Sequence, residues 1–399
     1  MKKIMLYCQH LAGMGHLVRS TEIIRSLVKG FKVCFVNGGQ PIPEFELPPE
    51  VEVVYLPGLW QDGDAIKPVD DAYSPEETQA RRQQRLLAAF NWFEPDCLIT
   101  ECFPFSKLRL KSELKPLLQQ AKDSTRPVRI VCSLRDLIMT QPMAPDTRIR
   151  RAEKICRLVN RYYDAVLFHS DASFQKLEDC FPLVDQLEGD IIYTGYVAQS
   201  LPKERSLTAE DVAGLSDKAP TLVASVGGGR HGYIPLNAII ETAPRLSKIL
   251  PHHIYAFAGP YMPERDFARL QQAAANKPNI TLRRFTSRLI EYLEKADLSI
   301  SLGGYNTTMN LLRTGVPAIV LPSLSKDQNN EQQIRAAKLA KLGVINLIQP
   351  EDLTRDRLIQ AITTRLAQTP TAHQINLQGA DNTAGHLQEL LAAPALESR

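Results

Sequence analysis

The chain of 399 residues lacks a dominant charge: 47 lysines and arginines stand against 44 aspartates and glutamates, a net +3. No strong field therefore draws nucleic acid by charge alone. It has no apolar run near the roughly 20 residues needed to cross a bilayer. The apolar stretch Ile4 to Cys8 stops at Gln9-His10, too short for the apolar core of a secretion signal. The 7 cysteines, all between residues 8 and 180, are odd in number and include no CxxC pair. That excludes a disulfide or zinc framework and fits reduced thiols in a cytoplasmic protein. A full GxGxxG fingerprint is also missing, so no nicotinamide site follows from the glycines near the N-terminus.

What is present is an alternation of short β-branched runs with amphipathic segments, the pattern of parallel sheets covered by helices on both faces. Strands are expected near 3–8, 32–37, 51–56, 96–100, 128–133, 165–169 and 190–194. The count restarts with strands near 221–226, 253–258, 279–284, 297–301, 317–321 and 344–348. The length exceeds one ordinary core, so the fold class is α/β, two doubly wound Rossmann-like parallel-sheet domains in sequence. The expected boundaries are 1–200 for the first domain, 201–219 for a linker, 220–368 for the second, and 369–399 for a tail. A last helix is expected near His386 to Leu391.

Three glycine-broken strand ends carry the chemistry. Ser301-Leu302-Gly303-Gly304-Tyr305-Asn306-Thr307-Thr308 joins an apolar run to a helical pattern, the context in which backbone amides and a positive helix end meet a phosphate. Asn306, Thr307 and Thr308 there supply capping groups, a structural role compatible with binding. At Ser225-Val226-Gly227-Gly228-Gly229-Arg230, the three glycines expose amides and Arg230 adds a fixed cation suited to a diphosphate. The third break, Gly13-Met14-Gly15-His16, offers His16 as its only group able to move a proton near neutral pH. A helix-capping or loop-packing histidine is the plainer alternative. Open α/β sheets bind ligands outside the carboxyl ends of their strands, so Glu101 and Asp136, at two such ends, are the candidate partners of His16. Arg135 beside Asp136 equally suggests a salt bridge. A long loop after residue 58 holds Trp60 and Tyr73, which suit stacking on a sugar or an aglycone and equally suit a small loop core. Asp62 and Asp64 superficially resemble a paired-carboxylate metal site, but acidic loop residues are mostly solvated, and no metal is expected.

Ser133-Leu134-Arg135-Asp136, Tyr193-Thr194-Gly195-Tyr196-Val197 and Gly303-Gly304-Tyr305-Asn306-Thr307 carry a family likeness. Through them the chain resembles the nucleotide-sugar glycosyltransferases of the two-domain GT-B type. The likeness is to those like the N-acetylglucosaminyltransferases of lipid II synthesis, with a family 28-like C-terminal module, and above all to bacterial proteins predicted to be glycosyltransferases. It spans about residues 1 to 345.

The resemblance implies two domains facing a cleft, a terminal helix that crosses back onto the first, and metal-independent, inverting transfer with no cofactor. The donor would be a nucleoside diphosphate sugar, most simply a UDP-sugar, and the acceptor a small-molecule, lipid-linked or glycan hydroxyl. It places Gly13, Gly15 and His16 on the acceptor side. Phe285 falls at the base, and Glu331-Gln332 at the donor's sugar hydroxyls, although such a pair is also an ordinary exposed first turn. Where the family holds the ribose with a glutamate this chain has Asn310, whose amide cannot pair bidentately. A nucleotide-sugar hydrolase or non-hydrolysing epimerase shares the architecture, and a non-catalytic nucleotide-binding partner subunit also fits. A peripheral membrane contact remains compatible with all of this; no nucleic acid is implied.

Overall fold

A computed structural model describes residues 1–10, 14–40, 42, 45–62, 65–201, 207, 219–322 and 330–393. Two compact units emerge: Met1–Ala198 with Ile375–Arg399, and Gln199–Gln374.

The first unit contains β1 (Lys3–Cys8), β2 (Lys32–Asn37), β3 (Glu52–Tyr55), a two-stranded ribbon β4 (Leu59–Asp62) and β5 (Ala65–Pro68), β6 (Cys97–Glu101), β7 (Arg129–Arg135), β8 (Ala165–His169) and β9 (Asp190–Tyr193). All but β4 and β5 form one parallel sheet in the order β3-β2-β1-β6-β7-β8-β9. Its main helices are α1 (Gly15–Leu27), α2 (Pro75–Phe93), α3 (Lys111–Lys122) and α4 (Pro145–Tyr162). Every residue of β6 and β8 is buried, as strands covered on both faces must be. Helix α2 opens on a capping box, Ser74 and Glu77 each accepting the other's backbone N–H, with Pro75 at its first position.

The second unit contains β10 (Thr221–Ser225), β11 (His253–Phe257), β12 (Ile280–Arg283), β13 (Leu298–Leu302), β14 (Ala318–Leu321) and β15 (Asn346–Leu347). They form a parallel sheet ordered β12-β11-β10-β13-β14-β15. Helices α5 (Tyr233–Leu246), α6 (Glu264–Ala274), α7 (Leu289–Lys295), α8 (Tyr305–Thr314), α9 (Glu331–Lys341) and α10 (Arg355–Leu366) complete it. Leu222, Ala224, Ile254, Ala256, Ile300 and Ile319 interleave with Leu236, Ile240, Leu358 and Ile362 in its core.

Two expectations are corrected. The segment from Leu59 to Pro68 is an antiparallel ribbon where a long loop was expected, Trp60 pairing with Lys67 in register. The last helix, α11 (Gly379–Ala392), is longer than 386–391 because Gly379, Thr383 and Leu387 continue its buried face. It belongs to the first unit, and its N-terminal approach is locked by two glycines. Gly195, at φ +84°, has no room for a side chain, because the Asn376 side chain lies 2.6 Å from where a Cβ would stand. A Cβ on Gly379 would lie 2.4 Å from the Gly195 carbonyl oxygen. Tyr196 N donates to Asn376 O at 2.8 Å, and Asp381 accepts from Ser26 on α1 at 2.7 Å and from Lys29, just past the end of α1, at 3.0 Å. Covered in this way, α1 is buried from Leu17 to Ile24.

The 7 cysteines are free and buried. Among the described residues no helix is long and apolar enough to cross a membrane.

Candidate functional site

In each unit the strand order reverses once, between β1 and β6 in the first sheet and between β10 and β13 in the second. The carboxyl ends flanking such a switch point are where open α/β sheets take ligands.

At the first switch point, α1 starts at the carboxyl end of β1 and carries His16, while β6 ends in Glu101. Glu101 is buried, and His16 Nδ1 lies 2.6 Å from its Oε1. The same oxygen accepts from Arg19 and, at 3.0 Å, from Cys102 Sγ; the other carboxylate oxygen accepts from Lys107. Burial alone would raise the Glu101 pKa, but His16, Lys107 and Arg19 together hold it well below the usual carboxylate range. An ionised carboxylate can only accept, so His16 presents Nδ1–H to it and Nε2 is the nitrogen left without a proton. Burial, first, and the Lys107 and Arg135 cations push His16 down to about 3 against the pull of Glu101. The imidazole is neutral at pH 7, tautomerically fixed, and 24% exposed at its side chain.

Asp136 is buried after β7, where its backbone carbonyl lies 3.8 Å from Cys180 Sγ. Glu101 is the carboxylate brought into contact with His16. The donor atoms of His16, Glu101 and Cys102 lie within 4.8 Å of one another. Arg19 and Lys107 already occupy the carboxylate, and burial raises the Cys102 thiol, an electrostatic setting that disfavours a further cation.

Sequence reasoning missed the residues that hold this site. Lys107 also donates to Gln9 O at 2.6 Å, and Gln9 Oε1 accepts from Arg82 at 2.6 Å. Arg82, fully buried on α2, forms a two-point pair with Glu113 of α3 at 2.7 Å for each contact and donates to the carbonyls of Gly38 and Pro57. Tyr7 donates to the same glutamate. A signal was available: Arg82 lies four residues from both Thr78 and Leu86, in the stripe α2 buries.

Of the residues expected on an acceptor side, Gly15 opens α1 at an exposed position and Gly13 lies outside the described residues, as do the side chain of Asp62 and all of Asp64. Trp60 donates to Pro68 O at 3.0 Å, and Arg81 stacks on Tyr73 at 3.8 Å from the ring centroid.

At the second switch point, β10 and β13 pair up to Ser225 and Ser301, so the two glycine breaks leave adjacent strand ends. Gly229, at φ +90°, and Gly259, at φ +87°, pack backbone on backbone; a Cβ on Gly229 would lie 2.2 Å from Ala258 O. The expectation that these glycines hold out free amides is corrected. Gly227 N reaches Ser225 Oγ at 3.4 Å, Gly229 N bonds Val226 O, Gly303 N bonds Leu321 O and Gly304 N bonds Leu302 O. Gly227 and Gly304 instead leave room, since a Cβ at either meets nothing within 4 Å. Gly228 is half-buried, and Arg230 is exposed.

Among the described residues, no side-chain cap is made at Gly304, the residue before α8, a second correction. Thr308 turns its hydroxyl back to Gly304 O at 2.9 Å, the usual habit of threonine inside a helix. Thr307 is buried and Asn306 half-buried in the same turn. The positive end of α8 stands at the carboxyl end of β13. Asn310, one turn on, is buried and donates to Gln199 at 2.6 Å. Glu331 begins α9, and Gln332 packs beside Gly303, its Cβ 3.8 Å from where a glycine Cβ would stand. Arg335, buried one turn later, stacks on Tyr305 at 5.3 Å and was not anticipated. Phe285 is half-buried after the edge strand β12, two strands from β10.

Two Rossmann-like units in series, each with some of its candidate residues at the switch point, are the GT-B fold. Solved structures agree. The calicheamicin glycosyltransferase CalG4 superposes with a TM-score of 0.61 at 14% identity, covering 99% of this chain and 100% of that one. MurG of Acinetobacter baumannii does so with a TM-score of 0.50 at 16% identity, covering 98% and 99%.

Residues 223–388 match the glycosyltransferase family 28 C-terminal domain. The UDP-N-acetylglucosamine–N-acetylmuramyl-(pentapeptide) pyrophosphoryl-undecaprenol N-acetylglucosamine transferase of Bacillus licheniformis is 23% identical over 236 residues, 58% of this chain and 61% of that protein. The NDP-glycosyltransferase YjiC of Bacillus subtilis is 39% identical over 84 residues, 21% of this chain and 20% of that protein. The chain thus matches about three-fifths of the length of the first relative and much less of the second.

Proposed function

We propose that this chain is a glycosyltransferase: it moves a hexose or N-acetylhexosamine from a nucleoside diphosphate sugar to an acceptor hydroxyl. The observation that carries the reading is His16, neutral and oriented by a buried, ionised Glu101 at the switch point of the first sheet. With Nδ1 committed to Glu101, Nε2 takes the proton of the acceptor hydroxyl as its oxygen attacks the anomeric carbon, opposite the departing diphosphate. The configuration then inverts. Negative charge grows on the leaving diphosphate, for which the first turn of α8, Gly228 and Arg230 are the proposed stabilisers. Glu331 and Gln332 are assigned to the donor sugar, Phe285 to the base and Asn310 to the ribose, where its buried amide could offer one contact. Trp60 and Tyr73 are assigned to the acceptor.

A UDP-sugar donor and a lipid-linked acceptor are supported by the relatives whose names specify them, and such an acceptor brings a peripheral membrane contact with it. Two cations already on Glu101 support transfer without a metal. His16→Ala should lower turnover by about 10²- to 10⁴-fold while nucleotide binding holds. A fully active variant would remove His16 from the chemistry. A thermal-shift panel of nucleotide sugars tests the donor, a ligand at 100 times its Kd adding about 2.7 kcal/mol. Rapid release of free sugar or its epimer without acceptor would favour the hydrolase or epimerase instead.

A further inference from the structure

We propose that Lys107 is a positioning residue for the His16–Glu101 pair: its ammonium ties Glu101 to the backbone end of β1 and fixes the carboxylate oxygen that His16 meets. This rests on reading His16 as the base.

Two features of the turn after β6 support it. Lys107 adopts φ +58°, a left-handed conformation unusual for a lysine, and Cys102 in the same turn adopts φ +62°. Such backbone persists only where its surroundings hold it. Here Cys102 N donates to Ser133 O at 2.8 Å, and Phe103 O accepts from Thr100 at 3.1 Å and Tyr163 at 3.0 Å. The outcome is a lysine side chain only 9% exposed, with its ammonium shared between Glu101 and Gln9 O. From there hydrogen bonds run through Gln9 to Arg82 and Glu113, anchoring the ammonium to α2 and α3.

Among the described residues, the charged or titratable groups acting on the His16–Glu101 pair include Arg19 on α1, Glu101 on β6, Cys102 and Lys107 in the turn, Arg135 on β7 and, after β1, His10, which burial pushes down to about 4. His169 on β8 and the thiols of Cys8 and Cys132 lie further out and are neutral at pH 7. Lys107 is thus one of two permanent cations bound to the carboxylate that holds His16. Its loss would leave Glu101 on Arg19 alone and remove a charge that opposes imidazolium formation.

Lys107→Gln keeps an N–H donor and removes the charge; Lys107→Arg keeps the charge. In K107Q the His16 ring should titrate by NMR at least about one pH unit above its wild-type position. Although a higher pKa favours proton uptake, misalignment of the pair should outweigh it, lowering kcat about tenfold with the donor KM unchanged. K107R should restore both. A K107Q protein with wild-type titration overturns the proposal, whether or not its activity falls. In the wild type, the Lys107 ammonium protons should exchange with water far more slowly than those of exposed Lys115. Equal rates overturn the proposal without any variant, so a K107Q that fails to fold does not shield it. If H16A keeps full turnover the base assignment fails, and the NMR measurements still judge Lys107 separately.

Discussion

Arg82 shows how a single charged side chain organises a site it does not enter. Its guanidinium, fully buried, has carbonyls, a carboxylate, an amide and a phenol around it. Breaking a buried pair from one side strands the other charge, so Arg82→Met should cost about 3–5 kcal/mol, read from urea unfolding. A loss under 1 kcal/mol would show that Glu113 finds another partner. His169 makes a second residue-scale case. Thr194 spends its proton on Gly195 O at 2.9 Å, so it accepts from His169 Nδ1–H at 2.8 Å, and Nε2 accepts from Ser133 at 2.7 Å. Burial, then Arg19, pushes its pKa from 6.5 down to about 3. Between those values the unfolded chain binds a proton that the folded chain refuses. This stability is complete above about pH 6.5 and lost as pH falls toward 3; His10, pushed to about 4, and His16 act with the same sign. The unfolding free energy should therefore drop on acidification. Replacing His169 with Asn should reduce that slope by up to about 1.4 kcal/mol per pH unit. An unchanged slope in H169N would refute the assignment. His16 and Glu101 were legible one by one, as a proton carrier and a strand-end carboxylate. Their contact, and the cations that set it, depend on which strands are neighbours, and a single sequence does not display sheet order.

At the scale of elements, the alternation of short apolar and β-branched runs with amphipathic segments located every strand of both sheets to within two residues at each end; central strands such as β6 and β8, buried on both faces, announce themselves as unbroken apolar runs. The β4–β5 ribbon escaped notice because it lies outside the two sheets, so its residues never formed such a run. The glycine runs were legible as breaks, but their use was not. Gly229 is required less to free an amide than to let two strand ends touch. Gly229→Ala would place a methyl group 2.2 Å from Ala258 O on a backbone at φ +90°, forcing the β10 and β11 turns apart. The expected result is a destabilised second unit with weaker binding of nucleoside diphosphates, by calorimetry. Gly227→Ala has open space, though its φ of +59° still disfavours alanine, so the steric part of the loss should be absent there. Equal losses at the two sites would show that backbone conformation, not contact, governs them.

For the whole molecule, the feature with the widest reach is the return of the chain to its first unit after the second is complete. Gly379→Val would press a side chain against Gly195 O and the Tyr196 backbone. We expect α11 to lift from α1, giving early proteolysis beyond residue 375 and faster amide exchange along α1; unchanged protection would sink that expectation. The expected crossing of the terminal helix came from resemblance, and nothing in its amphipathic pattern names a partner. The same arrangement imposes an order on biosynthesis. On the ribosome, the first 198 residues emerge with the α11-facing side of α1 still unclothed, and must wait through 176 more for the segment that seals it. At about 5–20 residues per second that wait lasts roughly 10–35 seconds, during which this face is open to chaperones or to other nascent chains.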